Sequence, residues 1–285
     1  MKTRRAYLDI TYQGVNITAD IADDLLSFTH NDNADGTADD ITITLKDNDG
    51  KWLNDWFPEK GDRLKAVLVL ENWDAENTQE QLSLGTFIID SPEYQLSPLQ
   101  LNLKGISIPN DNNFTDTSVS KGWNKVSLQD IIEQIAAKYG LKILYDTTIN
   151  PQIERIDQNE MSGMNFIAEI AKKYGLAYKV SDEQIIIYSQ AEYEQKAPVI
   201  TIKRTGGVVV SGTLKTAPTY TGVKVNFTPP KTGKQVSVTF GTTEKLFEMN
   251  QSAQNQAEAE QMAKAKLREL NREGITIDLT IIGTL

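Results

Sequence analysis

The chain has 285 residues with a formal net charge of −10, one histidine and no cysteine. The missing cysteines remove disulfides, thiolate nucleophiles and sulfur metal sites together, and a single histidine leaves no histidine-rich metal cluster. Lys and Arg are scattered, which argues against nucleic acid as a bound ligand, and no run of about 18 apolar residues offers a membrane-spanning helix. Hydrophobic residues make up 39%, enough to build cores, and the length leads us to expect two or three compact units.

The N-terminus, Met1-Lys-Thr-Arg-Arg, starts basic like a signal peptide. The next residues alternate, with Thr11, Gln13 and Asn16 among them, and contain no apolar h-region. They read as a first strand, so synthesis and folding in the cytoplasm are expected. From Tyr7 to Ile108 short alternating segments are broken by turns. Tyr7–Tyr12, the Gln13-Gly14 turn and Val15–Ile17 read as a hairpin. Ile41–Leu45 alternates, with Ile41, Ile43 and Leu45 facing inward, and Leu64–Leu70 is apolar enough to be central in its sheet. With Leu84–Asp90 and Leu99–Leu103, the region reads as at least six strands of a β-sandwich or small barrel.

Three features of this region invite a site. His30, in Phe28-Thr-His-Asn, is the one residue a Ser-His-Asp triad would have to use; beside a polar loop it reads as a solvent-exposed loop histidine. Asn31-Asp-Asn-Ala-Asp-Gly36, within the acidic loop 31–39, has oxygen donors at alternate positions and a glycine sixth, as a calcium loop does. Its twelfth position is Thr42, where a bidentate Glu is needed, and a strand comes next. The turn chemistry of Asp, Asn and Gly accounts for it more simply. Trp52, Trp56 and Phe57 crowd one stretch; exposed, they would suit a carbohydrate. The simpler expectation puts Trp52, Leu53 and Trp56 on one face of a short helical turn that plugs the barrel end.

The clearest internal mark is a repeat. Ser127–Leu141 matches Ser162–Leu176 at a constant offset of 35 residues. Each copy opens on a serine at an N-cap position with Asp130 or Asn165 three residues later, close to a capping box. Ile131, Ile132 and Ile135, and Phe166, Ile167 and Ile170, form the apolar stripes. Gly140 and Gly175 supply the left-handed C′ residue. Strands come after each helix, at Leu141–Tyr145 and Leu176–Val180, and the second returns as Gln184–Tyr188. Tyr139 and Tyr174 could form a ligand clamp, but hydrophobic closure before a C-cap is the preferred reading. Taken alone, Ile-Ala-Ala-Lys-Tyr-Gly-Leu is similar to LysM peptidoglycan-binding domains and to the N-terminal domains of secretins.

In the last third, strands are expected at Val199–Ile202, Val208–Val210, Val223–Phe227 and Val236–Phe240. A helix from about Ser252 to Arg272 has a thin stripe of Ala259, Met262, Ala263, Leu267 and Leu270, and a last strand spans Ile275–Ile281. No catalytic, cofactor or metal residue is assigned. Of wall-degrading chemistries only a carboxylate-pair glycosidase stays open, and no Asp/Glu pair stands out for it.

Three groups of motifs occur in order: Asp39-Asp-Ile-Thr-Ile-Thr-Leu-Lys-Asp-Asn-Asp-Gly-Lys-Trp52 with Phe57-Pro-Glu-Lys-Gly-Asp62 and Gly85-Thr-Phe-Ile-Ile-Asp90; Ser127–Ala136 with Gln158–Ala171; and Ala257–Leu267. Together they resemble the phage late control protein D family, the baseplate hub of contractile tails, related to the hub part of VgrG proteins. The resemblance implies an α+β, mainly β fold: a tube-like β-barrel over 1–115, the duplicated helix–strand module over 116–195, and a second tube-like domain over 196–285 carrying surface helix 252–272. It implies a non-catalytic homotrimer ring that adapts a hexameric tail tube to a central spike. Tape measure and baseplate wedge proteins are further partners, in a virion tail or tail-like particle assembled in the bacterial host cytoplasm. The acidic charge would suit a lumen through which DNA passes without sticking. Family members usually run beyond the strand at Ile275–Ile281, so a truncated or unusually small second barrel is expected. A peptidoglycan- or envelope-binding module of LysM-like or secretin-N-like type is the alternative.

Overall fold

Alternation of apolar and polar residues sets the first part of the chain. In a computed structural model, which describes residues 2–73, 75–107, 112–202, 208–214, 219–230, 232–272 and 275–281, β1 (Arg5–Tyr12) turns back into β2 (Val15–Asn16). Gln13 and Gly14 both hold positive φ, 48° and 80°, as a two-residue I′ turn requires. Next come α1 (Thr18–Ile21), β3 (Leu25–Asn31), β4 (Asp40–Lys46), a 3-10 turn at Lys51–Leu53, β5 (Arg63–Glu71), β6 (Gln79–Leu96), β7 (Leu99–Ile106) and α2 (Asn112–Asp116). The seven strands form one antiparallel sheet in the order β2-β1-β5-β6-β7-β4-β3. β5 is an interior strand, and Ile41, Ile43 and Leu45 all point into the core.

β6 is 18 residues long and serves two neighbours, β5 with its first half and β7 with its second. Bulges near Gly85 (φ 103°) and at Asp90 shift its register and bend it, because an unpaired extra residue adds local twist. The bend lets Leu8, Ile10, Leu64, Phe87, Ile89 and Leu103 meet in a single core with Trp52. Burying a side chain such as Phe87 contributes about 2–3 kcal/mol.

The chain divides into two compact units, one of Met1–Thr117, Ala136–Leu144 and Lys179–Ile186, the other of Ser118–Ile135, Tyr145–Tyr178 and Ile187–Leu285. The middle elements are β8 (Val119–Ser127), α3 (Leu128–Lys138), β9 (Lys142–Asp146), β10 (Gln152–Met161), α4 (Gly163–Lys173), β11 (Ala177–Ser181), β12 (Gln184–Tyr188) and α5 (Gln190–Tyr193). β8 pairs with β10, and a three-stranded sheet runs β11-β12-β9. Both repeat helices form as the sequence predicts. Ser127 Oγ accepts from the Asp130 N–H at 3.1 Å and Asp130 accepts in return from the Ser127 N–H, a reciprocal capping box; Ser162 caps α4 through the Asn165 N–H. Each helix ends in a Schellman motif, with Leu141 N–H on the Ala136 carbonyl and Leu176 N–H on the Ala171 carbonyl, across Gly140 (φ 68°) and Gly175 (φ 73°). The stripes Ile131, Ile132, Ile135 and Phe166, Ile167, Ile170 are buried.

The last elements are β13 (Val208–Leu214), β14 (Gly222–Phe227), β15 (Val236–Gly241), β16 (Leu246–Asn250), α6 (Gln256–Asn271) and β17 (Ile275–Ile281). β14 lies between β15 (antiparallel) and β16 (parallel), and Val223, Val225 and Phe227 pack on Ala259, Met262 and Ala263 of α6. β13 and β17 form a separate antiparallel ribbon. Two expectations change, and one strand is added. Val199–Ile202 forms no strand and stands exposed: no strand among the described residues pairs with it, and propensity without pairing does not make a sheet. The helix starts at Gln256, where Asn255 accepts from the Glu258 N–H, while Ala253 ahead of it is buried in the core. The parallel strand β16 was hidden by its polar residues Glu248 and Asn250.

Candidate interaction sites

The β1–β2 turn, the 3-10 turn and the loop before β5 together wall a groove of about 410 Å³. Its apolar side is Tyr12, Val15, Ile17, Trp52, Trp56 and Phe57, and its carboxylates are Asp20, Asp55, Glu59 and Asp62. Asp62 ties the wall together: Tyr12 Oη and Gln13 Nε2 both donate to it, and the Glu59 N–H donates to Oδ2 at 2.8 Å. Burial, aided by that hydrogen bond to Asp62, pushes the Tyr12 hydroxyl well above its usual range, so it remains a donor at any physiological pH. Of the aromatic run only Trp52 enters the core, at 1% exposure, while Leu53, Trp56 (37%) and Phe57 (54%) face outward. The expected single face is lost because the 3-10 turn ends at Asn54. Trp56 therefore lies edge-on beside Trp52, ring centroids 5.3 Å apart. Lys51 lies 5.3 Å from the Trp56 ring centroid and pairs with Asp24 at 2.7 Å.

The other sequence candidates resolve into packing. His30 is a strand residue of β3, half-buried and edge-on to Phe87, with its Nε2 buried and unbonded, and not a loop histidine. β3 runs through Asn31 before the polar loop begins, which places the imidazole opposite Ile41. In the acidic loop, Asp39 is almost fully buried and accepts from the Asn33 N–H. Lys179 of β11 reaches both Asp39, at 2.9 Å, and Asp32. Two of the loop's carboxylates thus face an ammonium, and the described residues hold no group of three metal-ligating side chains. Tyr139 and Tyr174 act separately: Tyr139 packs edge-on against Phe114, and Tyr174 Oη donates to Glu258 at 2.7 Å.

That second tyrosine marks how α4 docks on α6. Lys173 pairs with Glu258, Lys172 pairs with Glu269, and Gln261 donates to the Tyr174 carbonyl. Partial burial acts to raise the Glu269 carboxyl, but hydrogen bonds from Lys266 and Lys172 outweigh it and hold the group below its ordinary value. A depressed carboxyl adds stability above the unfolded value of about 4.5, which is lost as pH falls through the lower folded value. An acid titration followed by circular dichroism should therefore show the thermal midpoint falling more steeply below pH 4.5 in the native protein than in Glu269→Gln.

No protein-family profile matches the chain. In fold the chain is similar to the tail protein from Neisseria meningitidis MC58, which aligns over 98% of this chain and 81% of its own length, with a TM-score of 0.70 at 14% identity. In sequence it is similar to two phage proteins described as probable baseplate hub proteins. It is 25% identical over 233 residues to the "Probable baseplate hub protein" of Escherichia phage 186 and 26% identical over 226 residues to that of Escherichia phage P2. These alignments take in 79% and 77% of this chain but 57% and 55% of the relatives, so the chain spans little more than half their length.

Proposed function

We propose that the chain is a non-catalytic hub component of a phage or phage-derived contractile tail, working as a homotrimeric ring between the hexameric tail tube and the central spike. The observation that carries this reading is the sequence relation to baseplate hub proteins over most of the chain, joined to a tail-protein fold over nearly all of it. The organisation that goes with it is a tube-like barrel over 1–115, a helix–strand module over 116–195 and a second tube-like domain over 196–285. The long curled β6, bent twice so that β1 and β3 to β7 pack on one core, suits a barrel wall. In the third segment the β13–β17 ribbon exposes Ile277 and Leu279, two residues apart on one face. Two strands alone are marginal, and such a ribbon suits a contact between subunits.

On this reading affinity comes from interfaces repeated by symmetry rather than from one strong site. Tube, spike, tape measure and wedge proteins are the partners, the tail particle is the location, and the acidic surface suits passage of DNA without retention. A wall-binding function gains nothing from relatives named for the baseplate. Analytical ultracentrifugation, alone and with the neighbouring tube subunit, should show a species of three times the 31.8 kDa chain mass. A monomer that persists in both samples would overturn the ring.

A further inference from the structure

The groove beside the 3-10 turn is not explained by ring formation, and its chemistry is specific. We propose that it docks a segment of a basic partner protein, one that presents a branched or aromatic side chain next to a lysine or arginine. The size is right for one or two side chains rather than for a folded element. Its apolar wall is exposed in the free chain, with Val15 at 63%, Phe57 at 54% and Trp56 at 37%. Large aromatics left open beside one another mark contact sites more often than scattered single residues do.

Charge selects the occupant. Asp20, Asp55 and Glu59 are exposed at the groove, no Lys or Arg lines it, and none of the three carboxylates has an ion-pair partner among the described residues. The chain shows in place how such a site holds a cation: Lys51 is shared between the Trp56 ring and the Asp24 carboxylate. Phosphate-bearing ligands would be repelled. The wall is also pre-formed, since Asp62 fixes Tyr12, Gln13 and the Glu59 backbone, so little ordering remains to be done on binding. The inference stands apart from the hub reading: ring formation unaffected by loss of Trp56 would leave each to its own test.

A random heptapeptide library panned on the intact chain tests it, with Trp56→Ala and the double variant Asp55→Asn, Glu59→Gln as counter-screens. The double variant changes exposed carboxylates and its thermal midpoint should match that of the native protein; Trp56→Ala loses the edge contact with Trp52, so its binding is compared well below its own midpoint. Enriched peptides should join Leu, Ile, Phe or Trp to Lys or Arg within two positions. A representative peptide should bind roughly tenfold more weakly to either variant. Its affinity should fall with salt for the native chain and much less for the double variant. Absence of enrichment over the variants, or enrichment of acidic or uncharged peptides, would overturn the proposal. Self-association abolished by Trp56→Ala would overturn it too, by giving the groove to a second copy.

Discussion

Replacing Lys179 with methionine is expected to lower the unfolding free energy by about 3–5 kcal/mol, as removal of one partner of a buried pair does. The lysine side chain is 12% exposed and that of Asp39 only 3%. Without the ammonium, Asp39 keeps the Asn33 N–H but loses its one ion-pair partner among the described residues. Burial alone would depress the lysine, but hydrogen bonds to Asp32 and Asp39 outweigh it and the group is raised above its ordinary value of 10.5. A raised lysine contributes fully below its unfolded value and is lost only as pH climbs through the folded one, so the pair stays intact at neutral and acid-neutral pH. Urea denaturation read by tryptophan fluorescence measures the effect. Asp32→Asn should cost less than about 1 kcal/mol because that carboxylate is exposed. A Lys179→Met, Asp39→Leu double variant should recover much of the loss, since both buried charges are then gone. A loss under about 1 kcal/mol for Lys179→Met would show that the ammonium is not needed to hold Asp39.

The second large effect separates the two halves of the repeat. Gly140→Ala and Gly175→Ala place the same side chain in the same left-handed C′ position, at φ 68° and 73°. At Gly140 nothing lies within 4 Å of the added carbon, so the cost is backbone strain alone, about 1–2 kcal/mol. At Gly175 the added carbon would meet the Ala265 Cβ at 2.6 Å and its Cα at 3.2 Å. Neither atom can swing aside, so α4 and α6 must separate, adding about 1–3 kcal/mol of overpacking and disturbing the Tyr174–Glu258 bond. The loss for Gly175→Ala should therefore be about twice that for Gly140→Ala or more. Ala265→Gly in the same chain should return part of the difference. Equal losses at both positions would mean that the two helices do not meet as closely as described.

These two cases also show how far the sequence could be read. Caps, C′ glycines and apolar stripes are local, and every one of them was legible: Ser127, Ser162, Gly140, Gly175 and the six stripe residues do what their spacing predicts. That Gly175 is crowded and Gly140 is open depends on α6, about 90 residues away along the chain, and nothing in the repeat signals it. His30 reads as a loop residue because β3 itself leaves little trace: Leu25–Asn31 is an edge strand in which Leu25 and Phe28 are only half-buried. The groove was half legible. Asp55-Trp-Phe-Pro-Glu59 already sets acids around aromatics, but Tyr12, Val15 and Asp62 join it only through the β1–β5 pairing and the turns beside it. β16 could not be found by pattern, since a parallel neighbour is chosen by the fold and not by adjacent residues.

The proposed hub role would build the chain into the tail at the end of the tube. Quantitative mass spectrometry of purified tail particles from a host expressing the surrounding gene cluster, with the tube and spike proteins as internal standards, tests it most directly. The account predicts three copies of this chain per particle, in a fixed ratio to one trimeric spike. Particles that lack the chain, or that carry it in the large copy number of the tube, would contradict it.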